Sequence, residues 1–273
     1  RRQWNRAMNR LFALATLVAL LLLAVAVQAQ SLNFSDDRDG PIEIFADDGI
    51  EWHQERLVFV ARGNARAVRG EVTVHADELR AYYREKANGG TDIWRLDALG
   101  KVRIVGPNGK AFGGKAVYDV DNAILVLSEG KLQLVTPTDV ITADKQLEFW
   151  EAKQIAVARG NAFAVRGEKR LRADVLAAYF RPDEKGEPRV YRVEAFDRVK
   201  VETGSEVAIS ERAVYNVESG IATLIGAVKI IRDANVLNGC RAEINLNTGV
   251  STLHSCKDRV RGLIQPGKKK EKR

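Results

Sequence analysis

The sequence has few of the residues that build most catalytic and metal centres. Its 273 residues include two cysteines, three histidines and one methionine. His53, His75 and His254 lie at no metal-ligand spacing, and none is paired with a recurring serine or cysteine. No pair of carboxylates interrupts the repeat described below, as a carbohydrate-active enzyme on a repetitive β scaffold would require. We therefore predict no catalytic residues, metal or cofactor, and keep such an enzyme only as a distant alternative.

Positive charge is concentrated at the two ends of the chain. The formal net charge is +7. Four arginines before residue 11 and the lysine-rich tail account for this excess, so the body of the chain is close to neutral. A neutral body does not favour a nucleic-acid partner. The tail, residues 265–273, has almost no apolar content and is predicted to be disordered.

The N-terminal region carries an apolar segment. Leu11–Val27 is uncharged, contains Thr16 as its one polar residue, and is followed by Val27-Gln28-Ala29, a small-x-small site. This pattern predicts a signal peptide over residues 1–29, export to the periplasm and a flexible linker over 30–40. The alternative is an uncleaved inner-membrane anchor. Met8 is the sole methionine and the candidate native start.

Export makes a disulfide between Cys240 and Cys256 plausible. Fifteen residues separate the two cysteines, and they lie near the two ends of the last repeat unit. If the two strands of that unit pair, the cysteines come within reach of each other. We therefore predict that they are bonded.

A long internal repeat dominates the chain. Val60–Glu71, VARGNARAVRGE, returns 97 residues later at Val157–Glu168 as VARGNAFAVRGE, with one difference in twelve positions. Shorter units open near Ala46, Ala76, Gly114, Ala143, Ala173, Glu211 and Cys240. The pattern predicts a tandem domain over residues 41–264, with blocks 42–138 and 139–235 and a half unit 236–260.

The units have the alternation of β-strands. In Lys101–Val105 the charged residues Lys101 and Arg103 alternate with Val102 and Ile104, and Arg198–Val201 repeats the pattern. Residues 76–84 and 173–180 have helical propensity, but the equivalent segment 115–120 has the pattern of a strand. The recurring Asp47, Asp77, Asp144 and Asp174 are interpreted as bend residues bonded to nearby backbone. The sequence predicts an all-β fold of seven two-strand units, about 14–16 antiparallel strands, that share one core.

These features resemble the OstA/LptA family of lipopolysaccharide transport proteins. The resemblance is carried by Ala46-Asp47 through Trp52 with Gly63-Asn64, by Ala143-Asp144 through Phe149 with Gly160-Asn161, and by Lys115–Asp119. It implies an open two-sheet β-jellyroll, the "β-taco", that holds lipopolysaccharide acyl chains between its sheets. It also implies head-to-tail self-association and stacking against inner-membrane LptC-like and outer-membrane LptD-like partners. An inner-membrane-anchored LptC-like component of the same pathway is the alternative.

Alternation and the resemblance together predict the lining of a lipid trough. Whether these rows leave an open trough or fill a closed core stays open, and the parity of Gly63–Val68 is ambiguous. The edges near Ile42–Phe45 and Val260–Ile264 are predicted to make the head-to-tail contacts. The predicted lining residues are Ile50, Trp52, Leu79, Ala81, Tyr83, Trp94, Leu96, Val102, Ile104, Tyr118, Leu147, Phe149, Leu176, Val193, Val199, Val201 and Tyr215.

Overall fold

A computed structural model describes residues 42–264, except 88, 185, 187, 205, 246, 249, 257 and 258. The predicted signal peptide, linker and basic tail lie outside the described residues. The described chain is almost entirely β, which confirms the predicted fold class. Residues 76–84 and 173–180 lie in strands and not in helices.

Eighteen strands are described, joined by turns and one short 3-10 helix at Glu151–Lys153. The number exceeds the expected 14–16 because sharp bends divide several of the predicted strands into two shorter ones. The strands are β1 (Glu43–Phe45), β2 (Gly49–His53), β3 (Val58–Arg69), β4 (Val72–Glu85), β5 (Thr91–Gly106), β6 (Gly109–Asp119), β7 (Ile124–Ser128), β8 (Leu132–Val135), β9 (Val140–Ala143), β10 (Gln146–Trp150), β11 (Ile155–Arg166), β12 (Lys169–Pro182), β13 (Pro188–Glu202), β14 (Glu206–Asn216), β15 (Ile221–Arg232), β16 (Asn235–Asn245), β17 (Val250–His254) and β18 (Arg261–Leu263).

The described residues form two compact units. The N-terminal unit contains residues 42–167 and 175–191, and the C-terminal unit contains 168–174 and 192–264. In the N-terminal unit, antiparallel ladders link neighbours from β1 to β11. In the C-terminal unit they link β13 to β18.

A bend interrupts each long strand near its middle. In β3 the register shifts between Arg62 and Ala65, where Gly63 and Asn64 adopt left-handed φ angles of 77° and 45°. Gly100 and Lys101 do the same in β5, with φ of 76° and 45°. Left-handed backbone turns the chain sharply, and glycine adopts it without steric cost. We name the line of these bends the seam.

The seam divides each unit into two half-sheets. In the N-terminal unit, half-sheet I contains β2, β7, β10 and residues 58–62, 78–85, 91–99, 115–119 and 155–159. Half-sheet II contains β1, β8, β9 and residues 65–69, 72–76, 102–106, 109–112 and 163–165. Ile104 of half-sheet II is only 1% exposed, which requires that half-sheet I covers it.

The C-terminal unit shows the same contact directly. One buried cluster contains Ala208, Val228 and Ile230 from one side of the seam and Tyr215, Ala222, Leu224, Ala242 and Ile244 from the other. The two half-sheets of this unit therefore pack face to face along the seam.

The repeat is preserved in detail. β6 and β14 have the same bounds when shifted by 97 residues, and the left-handed pair Gly63-Asn64 recurs at Gly160-Asn161, with φ of 83° and 45°. The bond from Asp47 N to Gly63 O, 2.8 Å, recurs from Asp144 N to Gly160 O, also 2.8 Å. The equivalence weakens after β14. A two-residue bend inside β15, Gly226-Ala227, replaces the longer break between β7 and β8.

Candidate functional site

Continuous apolar rows cover the inner face of half-sheet I in the N-terminal unit. Cross-strand pairing places one residue of each strand opposite the next, so that side chains of one row share a face. The row nearest the seam is Ile50, Ala61, Leu79, Ala98, Ala116, Leu127, Leu147 and Ala158; the second is Trp52, Phe59, Ala81, Leu96, Tyr118, Leu125, Phe149 and Ala156.

Half-sheet II contributes a matching inner row. Its members are Ile44, Ala67, Val74, Ile104, Ala111, Leu134, Ile141 and Ala164. Ala65 and Ala67 share this inner face, and Val68 points outward, which resolves the parity that the sequence left ambiguous. Among the described residues, no charged side chain lies in these three rows.

Burial is uneven across the inner face of half-sheet II. Ala65 and Ala162 beside the seam are completely buried, and small side chains of this kind allow the half-sheets to approach closely. In the next row Ile104 is also buried, whereas other members of that row are only partly buried, namely Val74, Leu134 and Ile141. The inner face is therefore closed beside the seam and accessible at some positions of the next row.

Most of the predicted lining residues come together on this face. Ile50, Leu79 and Leu147 lie in the first row of half-sheet I, and Trp52, Ala81, Leu96, Tyr118 and Phe149 in the second. Tyr83 continues the set, because its hydroxyl accepts a hydrogen bond of 2.7 Å from Trp52 Nε1. Val102 and Ile104 lie in half-sheet II and are almost fully buried. Leu176 is buried in β12.

Trp94 does not join these rows. A register shift between Tyr82 and Tyr83 changes the orientation of β5, and the Trp94 ring packs against Tyr82 at 6.0 Å between centroids. Tyr82 points to the face opposite Tyr83. A β-bulge of this kind redirects a side chain, and period-two alternation cannot foresee it.

The predicted residues of the C-terminal unit also face one another. Val193 is opposite Tyr215, and Val201 is opposite Ala208, in two inner rows on the two sides of the seam. Tyr215 belongs to the buried cluster, and Val193 and Val201 pack against it while remaining partly exposed. Val199 is completely buried beside the seam.

The sequence interpretation missed several inner residues. Leu125 and Leu127 lie in the continuous apolar run Ile124–Leu127, which has no alternation to select a face, whereas the alternation of 132–135 could have identified Leu132 and Leu134. Leu224, Val228 and Ile230 were missed in the C-terminal unit because the bend at 226–227 interrupts the alternation.

The outer face of half-sheet I carries paired charges among valines such as Val60 and Val117. Arg62 Nε donates to Glu78 at 3.0 Å, Arg95 Nε to Asp97 at 2.6 Å, and Arg159 Nε to Glu148 at 2.5 Å. Burial opposes ionisation of Glu78, but the hydrogen bonds and charges of Arg80 and Arg62 prevail and hold the pKa of that carboxyl below its ordinary value. These ion pairs leave half-sheet I with one charged outer face and one apolar inner face.

Aspartates occupy the bends. The described hydrogen-bond partners of the Asp47, Asp77 and Asp174 carboxylates are side chains, and not the backbone groups that the sequence interpretation expected. Lys101 Nζ donates to Asp77 at 3.2 Å, and the equivalent Arg198 Nε donates to Asp174 at 2.8 Å. Asn64 Nδ2 donates to Asp47 at 3.4 Å. Each contact joins the bends of two different strands and so stabilises the seam.

Edge strands, which pair on one side only, lie at both ends of the described ladders. In the described pairings, β1 and β2 pair only with β3, and β17 and β18 pair only with β16. Several large apolar side chains are exposed on these strands, including Phe45, Trp52 and Leu263. The structure joins Cys240 in β16 to Cys256 after β17 by a disulfide, with 5.8 Å between the Cα atoms.

Neither a metal-binding cluster nor a membrane-spanning helix occurs in the described part of the chain. Within it, no group of three or more His, Cys, Asp and Glu side chains could hold a metal ion. Within the same ranges, no helix is both long and apolar enough to cross a membrane.

Comparisons with known proteins agree with this arrangement. Residues 43–146 and 140–250 each match the model of the family described as LptA/(LptD N-terminal domain) LPS transport protein. The uncharacterized protein R00383 of Rhizobium meliloti (strain 1021) is 24% identical over 144 residues, which are 51% of this chain and 77% of that protein.

A solved structure is also similar. It is LptH from Pseudomonas aeruginosa, described as the LptA homologous periplasmic component of the conserved lipopolysaccharide transport device. The identity is 14%, the match covers 84% of this chain and 99% of LptH, and the TM-score is 0.22. Because the family model matches both repeat blocks and most of the described residues, the chain belongs to the LptA/LptD N-terminal domain family of lipopolysaccharide transport proteins.

Proposed function

We propose that the protein binds the acyl chains of lipopolysaccharide between its half-sheets and carries the lipid through the periplasm. It acts as one element of a head-to-tail bridge between an inner-membrane LptC-like partner and an outer-membrane LptD-like partner. The observation that carries the proposal is the set of uncharged inner rows with partly exposed positions such as Leu134 and Ile141, in a chain of this family.

The dimensions of the inner face suit several acyl chains. The row of half-sheet II crosses eight strands. Seven inter-strand spacings correspond to about 34 Å along the sheet. Each methylene that leaves water for this face contributes ~0.8 kcal/mol. Acyl chains can reach this face at its partly exposed positions, such as Leu134 and Ile141.

The two edges support the bridge. β1 and β2 at one end and β17 and β18 at the other expose backbone groups and apolar side chains. Such edges can continue a sheet from one copy, or one partner, to the next by strand addition. The inner rows would then continue from one module into the next.

Site-specific photo-crosslinking tests lipid binding. Ile104 is 1% exposed, so a bulky photoreactive group there would disturb packing; Leu134 lies in the same row and is partly exposed. Its neighbour Gln133 is also partly exposed but pairs with Phe112 and Thr142 on the outer face. A photoreactive residue at Leu134 should capture lipopolysaccharide in cells, and the same residue at Gln133 should not.

Ile141 and Thr142 form a second matched pair on the adjacent strand. Ile141 faces Leu134 and Ala164 on the inner face, and Thr142 faces Gln133 and Phe163 on the outer face. Capture at Ile141 but not at Thr142 is expected. Equal capture at both members of either pair, or at neither in a folded protein, would contradict binding between the half-sheets.

A further inference from the structure

Three basic side chains stand in a row on the outer face of half-sheet II. Arg66 of β3 is directly opposite His75 of β4, and His75 is directly opposite Arg103 of β5. Their neighbours Ala67, Val74 and Ile104 occupy the inner row, so these three point away from the interior. We name Arg66, His75 and Arg103 the cationic row.

In the described structure, carboxylates do not neutralise the arginines of this row as they do those of half-sheet I. There, arginines are matched to Glu78, Asp97 and Glu148. Among residues 42–264 as described, no ion pair joins Arg66 or Arg103 to a carboxylate. The two guanidinium groups can therefore form charge-assisted hydrogen bonds with an external anion.

The surrounding charges leave a positive excess. Asp77 lies beside His75 on the same face, but Lys101 Nζ contacts it at 3.2 Å. Glu43 is on β1, which pairs with the strand of Arg66, and Lys110 is on β6, which pairs with the strand of Arg103. Burial first, and then the charges of Arg103 and Arg66, lower the pKa of the His75 imidazole.

The row belongs to the first repeat block alone. Arg66 is the one position of the twelve-residue repeat that differs, and Phe163 takes its place 97 residues later. The other equivalents, Arg172 and Lys200, remain basic, but Lys200 forms an ion pair with Glu202 within its own strand. The shared fold therefore does not require the cationic row, since the second block forms the same strands without it.

Aromatic rings lie at both ends of the row. The Arg66 guanidinium lies 4.2 Å above the centre of the Phe45 ring, and Phe45 is 44% exposed. Phe112 is directly opposite Arg103 on the other side. An exposed phenylalanine beside basic residues gives this face an apolar group that can enter the headgroup boundary of an anionic membrane.

We propose that the cationic row binds phosphate groups and docks the first repeat block onto an anionic phospholipid surface. The row lies on the face opposite the inner rows, so a lipid held between the half-sheets does not supply these phosphates. This site goes beyond the proposed transport function and does not depend on it. Arginines near an anionic surface add about fivefold each to binding.

The test is partition of the secreted protein onto vesicles at low salt. Vesicles of phosphatidylglycerol and phosphatidylcholine in equal amounts are compared with vesicles of phosphatidylcholine alone. The variant Arg66→Phe with Arg103→Gln copies the second block at residue 66 and removes two charges. We expect it to lose about twenty-five-fold in partition onto the anionic vesicles. The matched control, Arg172→Gln with Lys200→Gln, removes the same charge and should bind like the unaltered protein.

An equal loss in both double variants, or an unaltered protein that does not prefer anionic vesicles, overturns the proposal. Response of the His75 imidazole resonances to inorganic phosphate without vesicle binding would assign a soluble anion instead and also overturn membrane docking.

Two further readouts separate this proposal from others. If the Arg66 and Arg103 variant loses self-association while it binds vesicles normally, the row faces a second copy and the lipid proposal is wrong. Lipopolysaccharide capture at Leu134 should be the same in both double variants. Failure of the inner-face proposal therefore shows at Leu134, and failure of the cationic row shows on the vesicles.

Discussion

Substitution of Gly63 by alanine should destabilise the protein more than the same substitution at its repeat equivalent, Gly160. Both glycines have left-handed φ angles, +77° and +83°, which cost an alanine about 1–2 kcal/mol. The surroundings differ. A Cβ on Gly63 would lie 2.4 Å from Asp48 Cγ and 2.8 Å from the Asp48 backbone nitrogen, whereas at Gly160 its three nearest atoms are all in the Lys145 side chain, Cγ at 2.6 Å, Cβ at 3.0 Å and Cδ at 3.1 Å.

The Lys145 side chain can move aside, but the Asp48 backbone cannot move without loss. Asp48 N donates to Arg62 O at 3.0 Å, and loss of this hydrogen bond adds about 1 kcal/mol. We expect a decrease in unfolding free energy of about 2–3 kcal/mol for Gly63→Ala and about 1–2 kcal/mol for Gly160→Ala. Urea unfolding followed by far-UV circular dichroism measures both. An equal loss in the two variants, or a larger one for Gly160→Ala, would refute the reasoning.

Three other perturbations test the edges, the disulfide and the cationic row. Replacement of Cys240 and Cys256 by serine should lower the unfolding free energy by about 3 kcal/mol, and mass spectrometry should find no free thiol in protein expressed in the periplasm of a bacterial host; two free thiols would contradict the bond. Ile44→Pro removes a backbone donor from edge strand β1, so light scattering should show fewer oligomers while the monomer keeps its circular dichroism spectrum; an unchanged distribution would exclude this edge. Burial and the charges of Arg103 and Arg66 lower the pKa of His75 on folding, so the unfolded chain binds its proton more readily and the associated stability, present above pH ~6.5, is lost as pH falls below it. His75→Gln should flatten this part of the stability–pH profile, and an unaltered profile would contradict the assigned environment.

The repeat made most of the architecture predictable. A second copy of Gly63-Asn64 at Gly160-Asn161 identifies a backbone requirement and not a chance pair, and the structure gives both pairs left-handed φ angles. Comparison between repeat units also argued against helices at 76–84 and 173–180, because the equivalent segment 115–120 has the pattern of a strand. Internal repetition thus supplied evidence that local propensity alone could not.

The exact faces of several residues were not predictable. Trp94 leaves the inner rows because a bulge lies between Tyr82 and Tyr83, and nothing in the alternation of Trp94, Leu96 and Ala98 marks it. Ile104 shares its inner row with Leu134, but Ile104 is almost fully buried and Leu134 is partly exposed, so parity alone does not predict burial within a row. The Arg66, His75 and Arg103 row appears only after the register of three strands is known.

The bends also set the phase of each strand. In β3 the inner positions are Ala61 before the bend and Ala65 after it. The step between them is an even number of residues, so the inner residues have odd numbers on both sides of the bend. In the next strand, β4, the inner positions are Ala76 and Leu79. The step between them is an odd number of residues, so the inner residues change from even to odd numbers at the bend.

Successive strands continue this alternation. β5 preserves its phase between Ala98 and Val102, and in the C-terminal unit β13 preserves it and β14 reverses it. Antiparallel neighbours cross the seam in opposite directions. Strands that cross it in one direction have an even step at the bend, and strands that cross it in the other direction have an odd step. Any period-two search over a whole strand of this fold therefore gives contradictory faces for every second strand. The alternation must be measured separately on each side of a bend, and a single-residue deletion within one half-strand inverts that half without inverting the other if the bend absorbs the shift.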